Sequence, residues 1–398
     1  MVKITTAFSS NPDPDTALQE ATSALQNKLS ADPSLTLIYY TENYNPGELI
    51  TALNQQPTTQ LHGCSTCRAV MGTDGFHSNN GIALGIWAAH DPEGAYGSAL
   101  VSMNDAPRLA GREAVEQALN NAQRTGEVPD LIWLSATPGN EESVMLGIQD
   151  VVGDDVPIIG GSAADNHITG QWSIIANNES TTDGVAVTVM FPSVEISYTF
   201  QSGYSPTSIS GTVTKAAGRV VYEIDNRPAA EVYNEWSEGG IDKAINDGGR
   251  VLAETSLHPL GRKVTSVGKV DYYKLSHPSA VTLDRALTLF SEVSEGDQLV
   301  LMSGSRSSLI SRAGRVASSV LNVDELQAAD INGALVVFCA GCMLTIQTDM
   351  DEVASSINQV LEGKPFLGAF TFGEQGCFVE GGNIHGNLMI SMVVFNGE

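Results

Sequence analysis

The chain has 398 residues with 46 acidic against 20 basic side chains, a formal charge of −26, so it would repel the phosphate backbone that a nucleic-acid binder must neutralise. The same charge disfavours anionic membrane surfaces, and no apolar run approaches the roughly 18–20 residues that span a bilayer. Hydrophobic residues at 42%, with 39 Gly against 16 Pro, describe an ordered α/β chain with many tight strand-to-loop transitions, and the acidity reads as a solvated surface. At about 150 residues per domain the length gives two or three domains, two being simpler. The start, Met1-Val-Lys-Ile-Thr, lacks the basic and apolar regions of a secretory signal, so a cytoplasmic protein is expected. Five cysteines, in two close pairs plus one, look like thiols used for chemistry rather than a disulfide framework.

In chain order, Asp13-Pro14 caps an amphipathic helix through Ala17, Leu18, Ala21, Ala24, Leu25 and Leu29. Leu35–Tyr40 reads as a strand, Pro46–Leu53 as a helix, and a further strand delivers the chain to Gly63, making a right-handed β-α-β unit. Strands over 81–89 and 96–103, a helix over 107–124, a strand over 130–135, a helix over 141–152 and a strand over 156–159 lead into the Gly160-Gly161 loop. From 171 to 225 successive extended runs suggest an antiparallel portion of sheet. A short helix over 228–236 and a hinge at Ser237-Glu-Gly-Gly240 divide a first domain, 1–236, from a second, 237–398. The second alternates again: helix 283–293, strand 298–302, helix 307–321, strand 334–338, helix 350–361 with an Asp349/Glu352 capping box, and strands 366–372 and 387–395. The fold class is α/β, α+β in part: two domains of mixed sheet with flanking helices.

Four strand ends share a pattern of apolar run, glycine and hydroxyl or thiol. They are Gly63-Cys64-Ser65-Thr66-Cys67, Gly160-Gly161-Ser162-Ala-Ala-Asp165, Cys339-Ala-Gly341-Cys342 and Gly373-Glu374-Gln-Gly-Cys377. They are expected to line one pocket at strand-end loops between the halves, where open α/β sheets bind ligands. Glycines there let backbone N–H groups approach an anion. Two Cys-x-x-Cys pairs permit three readings: small buried hydrophobes, a reversible dithiol, or a metal centre. For the last, Cys64, Cys67, Cys339 and Cys342, with Cys377 as spare, would hold Zn or an iron–sulfur cluster. No phosphate-loop signature, nucleophile elbow or His-Glu-x-x-His is present. His62 and His167 flank the loops as candidates to orient a ligand, bind haem or serve a cysteine nucleophile as base.

These motifs, with Val213-Thr-Lys-Ala-Ala-Gly-Arg-Val-Val-Tyr-Glu-Ile-Asp-Asn-Arg-Pro-Ala229, Phe338-Cys-Ala-Gly341, Phe366-Leu-Gly368 and Phe372-Gly-Glu374, resemble the FIST family in order and spacing along nearly the whole chain. The resemblance implies a sensory module that binds small ligands such as amino acids, some members carrying haem, and that signals to an output domain. Here that output would be a partner in trans, such as a histidine kinase or cyclase. The sequence departs from the family where Cys342 replaces a common arginine and Cys67 a small residue. Loss of a bidentate carboxylate binder weakens the amino-acid reading, and two gained thiols strengthen a metal or redox one. The expectation is a stand-alone, non-enzymatic sensor with a small-molecule ligand, or alternatively an iron–sulfur or Zn protein, with haem the lesser cofactor choice.

Overall fold

A computed structural model describes residues 2–29, 31–53, 60–378 and 381–397. Its plan is a repeated unit. The first comprises β1 (Lys3–Ser9), α1 (Pro14–Leu29), β2 (Leu35–Tyr40), α2 (Pro46–Leu53), β3 (Leu61–Ser65), a hairpin of β4 (Val70–Gly72) and β5 (Gly75–His77), and β6 (Leu84–His90). The second follows as β7 (Ala95–Ser102), α3 (Pro107–Asn121), β8 (Leu131–Ala136), α4 (Glu141–Val152), β9 (Ile158–Ser162), a hairpin of β10 (Ile174–Ala176) and β11 (Glu179–Thr181), and β12 (Gly184–Phe191). The third opens with β13 (Ile196–Ser202) and resumes after a long insertion. It then runs α5 (Arg306–Val323), β14 (Ile331–Cys339), α6 (Ala340–Thr345), α7 (Met350–Leu361), β15 (Phe366–Thr371), a hairpin of β16 (Glu374–Phe378) and β17 (Gly382–Gly386), and β18 (Met389–Asn396).

Each unit orders its own strands alike: β1-β6-β2-β3, β7-β12-β8-β9 and β13-β18-β14-β15. In each the last two are parallel and the others antiparallel. The hairpin never joins its own sheet. β4–β5 pairs with β15, β10–β11 with β3, and β16–β17 with β9, so the three units exchange hairpins in a cycle. Runs over 171–202, expected as one antiparallel stretch, are accordingly divided among three sheets.

Helices cover the outer face of each sheet because their apolar residues recur on one side. Ala17, Leu18, Ala21, Leu25 and Leu29 of α1 are buried, and Asp13 caps that helix by accepting from Thr16 N–H at 2.9 Å. The inner faces meet in a common core that draws Tyr39 and Trp87 from the first unit, Trp133 and Ile159 from the second, and Val337 and Phe395 from the third. Trp133 Nε1 donates to Tyr39 Oη at 3.1 Å, which satisfies the buried indole.

The insertion forms a nine-stranded antiparallel sheet between Ser205–Ala217 and Gln298–Ser303, with its own core around Val221, Tyr233, Leu260, Leu287 and Leu299. The helix expected over 283–293 is not formed. Leu287–Leu289 is a strand pairing with Val220–Val221 and with Pro278–Val281, and it buries Leu287 and Leu289 at period two while Leu283 stays exposed. The expected 349/352 capping box is also absent: Asp349 makes no side-chain cap, and the boxes formed are Ser305 with Ser308 at the start of α5 and Gln327 with Asp330 at the 3-10 turn Ala328–Asp330. Residues 237–240 are a turn between helices Ala229–Trp236 and Asp242–Asp247, and three of the four sheets take strands from both sides of it.

Candidate functional site

The carboxyl ends of β3, β9 and β15 meet at the centre of the molecule. Each has a glycine near its end, Gly63, Gly160 and Gly368, where the parallel neighbour approaches or a side chain crosses. A Cβ would lie 2.4 Å from Ile38 O at Gly63, 1.8 Å from Leu134 O at Gly160 and 2.6 Å from the Met71 side chain at Gly368. Beyond these glycines the strands cross. Cys67 N–H donates to Phe370 O at 2.9 Å, Ala164 N–H to Ser65 O at 2.9 Å, and Phe372 N–H to Ser162 O at 3.1 Å. Each donor lies two residues beyond the corresponding acceptor of its own unit, so the three bonds close a ring.

The ring brings together three of the four strand-end loops read from the sequence, but it uses most of their polar groups internally. Ser65 Oγ accepts from Ser173 N–H at 3.0 Å, and Thr66 Oγ1 donates to Ala69 O while accepting from Phe370 N–H at 2.8 Å. Gly161 packs against Thr371, and Gly373 against His385 and Ser162. Burial opposes ionisation of Asp165, but the N–H groups of Gln171, Thr169, Ile168 and His167 outweigh it and hold the carboxyl below its usual range. Asp165 thus organises its own loop. Burial pushes the Glu374 carboxyl well above the ordinary value; it bonds Thr371 Oγ1 at 3.1 Å and Met389 N–H at 3.0 Å.

Open space lies beside the ring, where the third unit faces the insertion. This cavity has a volume of about 290 Å³. The body contributes Cys339, Gly341, Leu344, Thr371, Phe372 and Asn387, and the insertion contributes Leu252, Ala253, Ser256, His277 and Phe290. No lysine, arginine, aspartate or glutamate is among the lining residues. Burial lowers His277 to about 4, so it is neutral at pH 7, and its Nε2 lies 3.1 Å from Leu252 O. Asn387 accepts from His277 N–H at 3.4 Å, yet its buried amide nitrogen has no partner. An unmatched buried donor costs about 1–3 kcal/mol, which a ligand acceptor would recover. The insertion residues carry no motif, and sequence reading missed them. Of the proposed pocket residues, Cys339 and Gly341 line this space.

The cysteines divide between two cores. Cys64 lies in the central core, and Cys67, Cys339 and Cys342 in the core beneath α5 and α7. Cys377 contacts Tyr198 Oη at 4.0 Å. The four-thiolate centre expected from Cys64, Cys67, Cys339 and Cys342 is therefore not assembled. Successive residues of a strand face opposite ways, so Cys64 turns inward while the chain carries Cys67 across to β15. Burial raises both the Cys64 and Cys67 thiols to about 12.

His62 is sealed between sheets, its Nδ1 2.9 Å from Thr188 Oγ1 and its Nε2 2.9 Å from Ser135 Oγ, and burial lowers it to about 3. His167 is exposed and outside the cavity lining. Neither residue fits haem ligation here, and the histidine that does face the cavity, His277, has Nε2 engaged by Leu252 O.

One charged cluster had no counterpart in the sequence reading. Arg219 of the insertion reaches Glu141 and Glu142 at the start of α4, 2.6 Å from each, while Lys274 and His385 stand 4.0 Å from Glu142 and Glu141. Ser162 Oγ donates to Glu141 Oε1 at 2.7 Å and so faces this cluster. Among the described residues, Glu141, Glu142 and His385 are the group with metal-like spacing, but Arg219 already supplies the positive charge.

Burial opposes ionisation of Glu142; His385, Arg219, the Glu292 N–H and Lys274 outweigh it and bring the carboxyl to about 2 from an ordinary 4.5. A depressed carboxyl contributes stability that is whole above the ordinary value and lost as pH falls through the folded one. The stability difference between wild type and Glu142→Gln should therefore shrink from about pH 5 to about pH 2.5 in urea titrations. A constant difference would show that Glu142 is not held by these groups.

This arrangement defines a mixed α/β protein of four sheets with flanking helices and a cavity between its repeat body and an inserted sheet. Residues 34–227 match the FIST N domain and residues 229–377 the FIST C domain, and the chain belongs to the FIST family. FIST domains are sensory domains. The uncharacterized protein MJ1623 of Methanocaldococcus jannaschii is 39% identical over 90 residues, 22% of this chain and 18% of that protein, so the match spans less than a fifth of that relative. Among solved structures, cyanuric acid hydrolase from A. caulinodans aligns over 100% of both chains with a TM-score of 0.42 at 8% identity. PurLQS from Thermotoga maritima aligns over 99% of this chain and 72% of that one, with a TM-score of 0.22 at 10% identity. No helix among the described residues is long and apolar enough to cross a membrane.

Proposed function

We propose that the protein is a non-enzymatic sensor that holds a small, uncharged, largely apolar ligand in the cavity between the third unit and the insertion. The observation that supports this reading is the lining itself: apolar side chains from the third unit and from the insertion, no charged group, and one buried amide donor, Asn387 Nδ2, left for a ligand acceptor. A zwitterionic amino acid would need charged partners there. Because Leu252, His277 and Phe290 belong to the insertion while Cys339, Phe372 and Asn387 belong to the body, occupancy would bias how the two seat on each other. A partner in trans would read that difference. The shift can be no larger than the ligand's differential affinity for the two seatings, about 5.5 kcal/mol for near-complete switching.

The test uses N-phenyl-1-naphthylamine, an uncharged apolar fluorophore. Wild type should bind it with enhanced emission, and Ala253→Trp, which places an indole at an exposed part of the lining, should weaken binding at least about tenfold, or about 1.4 kcal/mol, with an unchanged melting temperature. Equal binding by both proteins, or none by wild type, would sink the cavity assignment.

A further inference from the structure

The polar atoms on the cavity wall are few, and most are already committed to the protein. Ser256 Oγ donates to Leu252 O at 2.6 Å, Thr345 Oγ1 donates to Gly341 O at 2.8 Å, and Thr371 Oγ1 is paired with Glu374 Oε1 at 3.1 Å. Cys339 adds only a thiol, a weak donor. His277 also commits its ring proton: a carbonyl oxygen only accepts, so the Nε2 that lies 3.1 Å from Leu252 O carries the hydrogen. Burial keeps the imidazole neutral at pH 7, which leaves Nδ1 with a lone pair. That nitrogen has no hydrogen-bond partner among the described residues.

Asn387 has the opposite surplus. It is 2% exposed; its N–H donates to Leu275 O at 3.0 Å, and its Oδ1 accepts from His277 N–H at 3.4 Å. A backbone N–H only donates, so the amide oxygen is fixed on that side and Nδ2 is left without a partner. The same two bonds hold residue 387 against the 275–277 segment of the insertion. One unused acceptor and one unused donor therefore stand on neighbouring residues of one wall, and Leu252, Ala253, Phe290, Leu344 and Phe372 surround them with apolar surface.

This pair restricts the ligand further than the lack of charge does. A hydrocarbon would bury Nδ2 unpaired, an ester or ketone would satisfy Nδ2 alone, and an amine N–H without a carbonyl would satisfy Nδ1 alone. We propose that the ligand is an uncharged, apolar secondary amide whose carbonyl oxygen accepts from Asn387 Nδ2 and whose N–H donates to His277 Nδ1. This names the ligand class of the cavity described above and rests on that reading. An amide presents its acceptor and its donor on separate atoms to separate residues, whereas an alcohol would have to serve both nitrogens from one oxygen.

The test measures displacement of N-phenyl-1-naphthylamine from wild type by three matched molecules. They are N-butylbenzamide; butyl benzoate, which keeps the carbonyl and lacks the N–H; and N-butylaniline, which keeps the N–H and lacks the carbonyl. The amide is the best hydrated of the three, so apolar burial alone ranks it last. The expected result ranks it first, by at least about tenfold over each control. Asn387→Leu should reduce the amide's advantage over N-butylaniline several-fold, a ratio that a general loss of affinity would not change. An amide that binds no tighter than either control overturns the inference and leaves the cavity reading in place. The same holds for an advantage that survives Asn387→Leu, or for stronger displacement by 5-phenyl-1-pentanol. A fluorophore that does not bind wild type, or binds Ala253→Trp equally, sinks the cavity reading and this inference with it.

Discussion

Replacing Arg219 with methionine is expected to remove about 3 kcal/mol of stability, the lower end of the range for breaking a buried ion pair. Its side chain is 18% exposed and those of Glu141 and Glu142 2% and 16%, so water offers limited compensation to the two carboxylates left behind. The loss should come mainly from the orphaned acids rather than from the missing attraction. Glu141→Gln in the Arg219→Met background should then recover part of it, and a double-mutant cycle in urea would measure the coupling. A loss below about 1 kcal/mol would mean that Lys274 and solvent already neutralise the pair. Because Arg219 belongs to the insertion and the glutamates to α4, the variant should also loosen the seating of the insertion. Faster amide exchange over Val220–Ile224 would report that.

Gly160→Ala should be about as damaging, roughly 3–5 kcal/mol, for a steric reason. The added Cβ would stand 1.8 Å from Leu134 O, 2.7 Å from Leu134 C and 2.9 Å from Leu134 N, all backbone atoms of the parallel partner strand. No rotamer change relieves such a clash. β8 is itself fixed on its other side by β12, so the β8–β9 ladder must part. Gly161→Ala is the informative comparison: the three atoms nearest its Cβ, at 2.4–2.8 Å, all belong to the Thr371 side chain, where rotation can move Cγ2 and Oγ1 and only the Cβ contact at 2.7 Å requires a shift. Equal denaturation midpoints for the two variants would show that the tight approach at Gly160 is not rigid.

Much of the repeat body was legible because its elements obey single periodicities. α4 and α7 have the bounds that helical spacing predicts, and β12 is the continuous apolar run expected of a strand covered on both faces. The threefold plan was not legible. An inserted sheet over residues 205–303 interrupts the third unit, so the chain read as two domains rather than three units. In the insertion, Leu283, Ala286, Leu287 and Phe290 happen to fall at helical spacing, and pairing with Val220 and Pro278 overrides it.

At the site, the convergence of the glycine loops could be read, since tight strand ends need small residues. Which way each thiol points could not, because strand crossing reverses direction within three residues. His277 and Asn387 carried no signal, since they meet only through the tertiary fold.

The cyclic exchange of hairpins has a consequence for synthesis on the ribosome. While the chain emerges, the first unit can receive β10–β11 as soon as the second is made, which covers the free edge of β3. β9 has no such early neighbour. Its edge stays bare until β16 and β17, near the far end of the chain, have been translated. An apolar strand with an unpaired edge invites pairing with another chain. The nascent second unit is thus the stretch most in need of a chaperone, and ribosomal delay between residues 162 and 374 should favour aggregation more than delay before β9 is made.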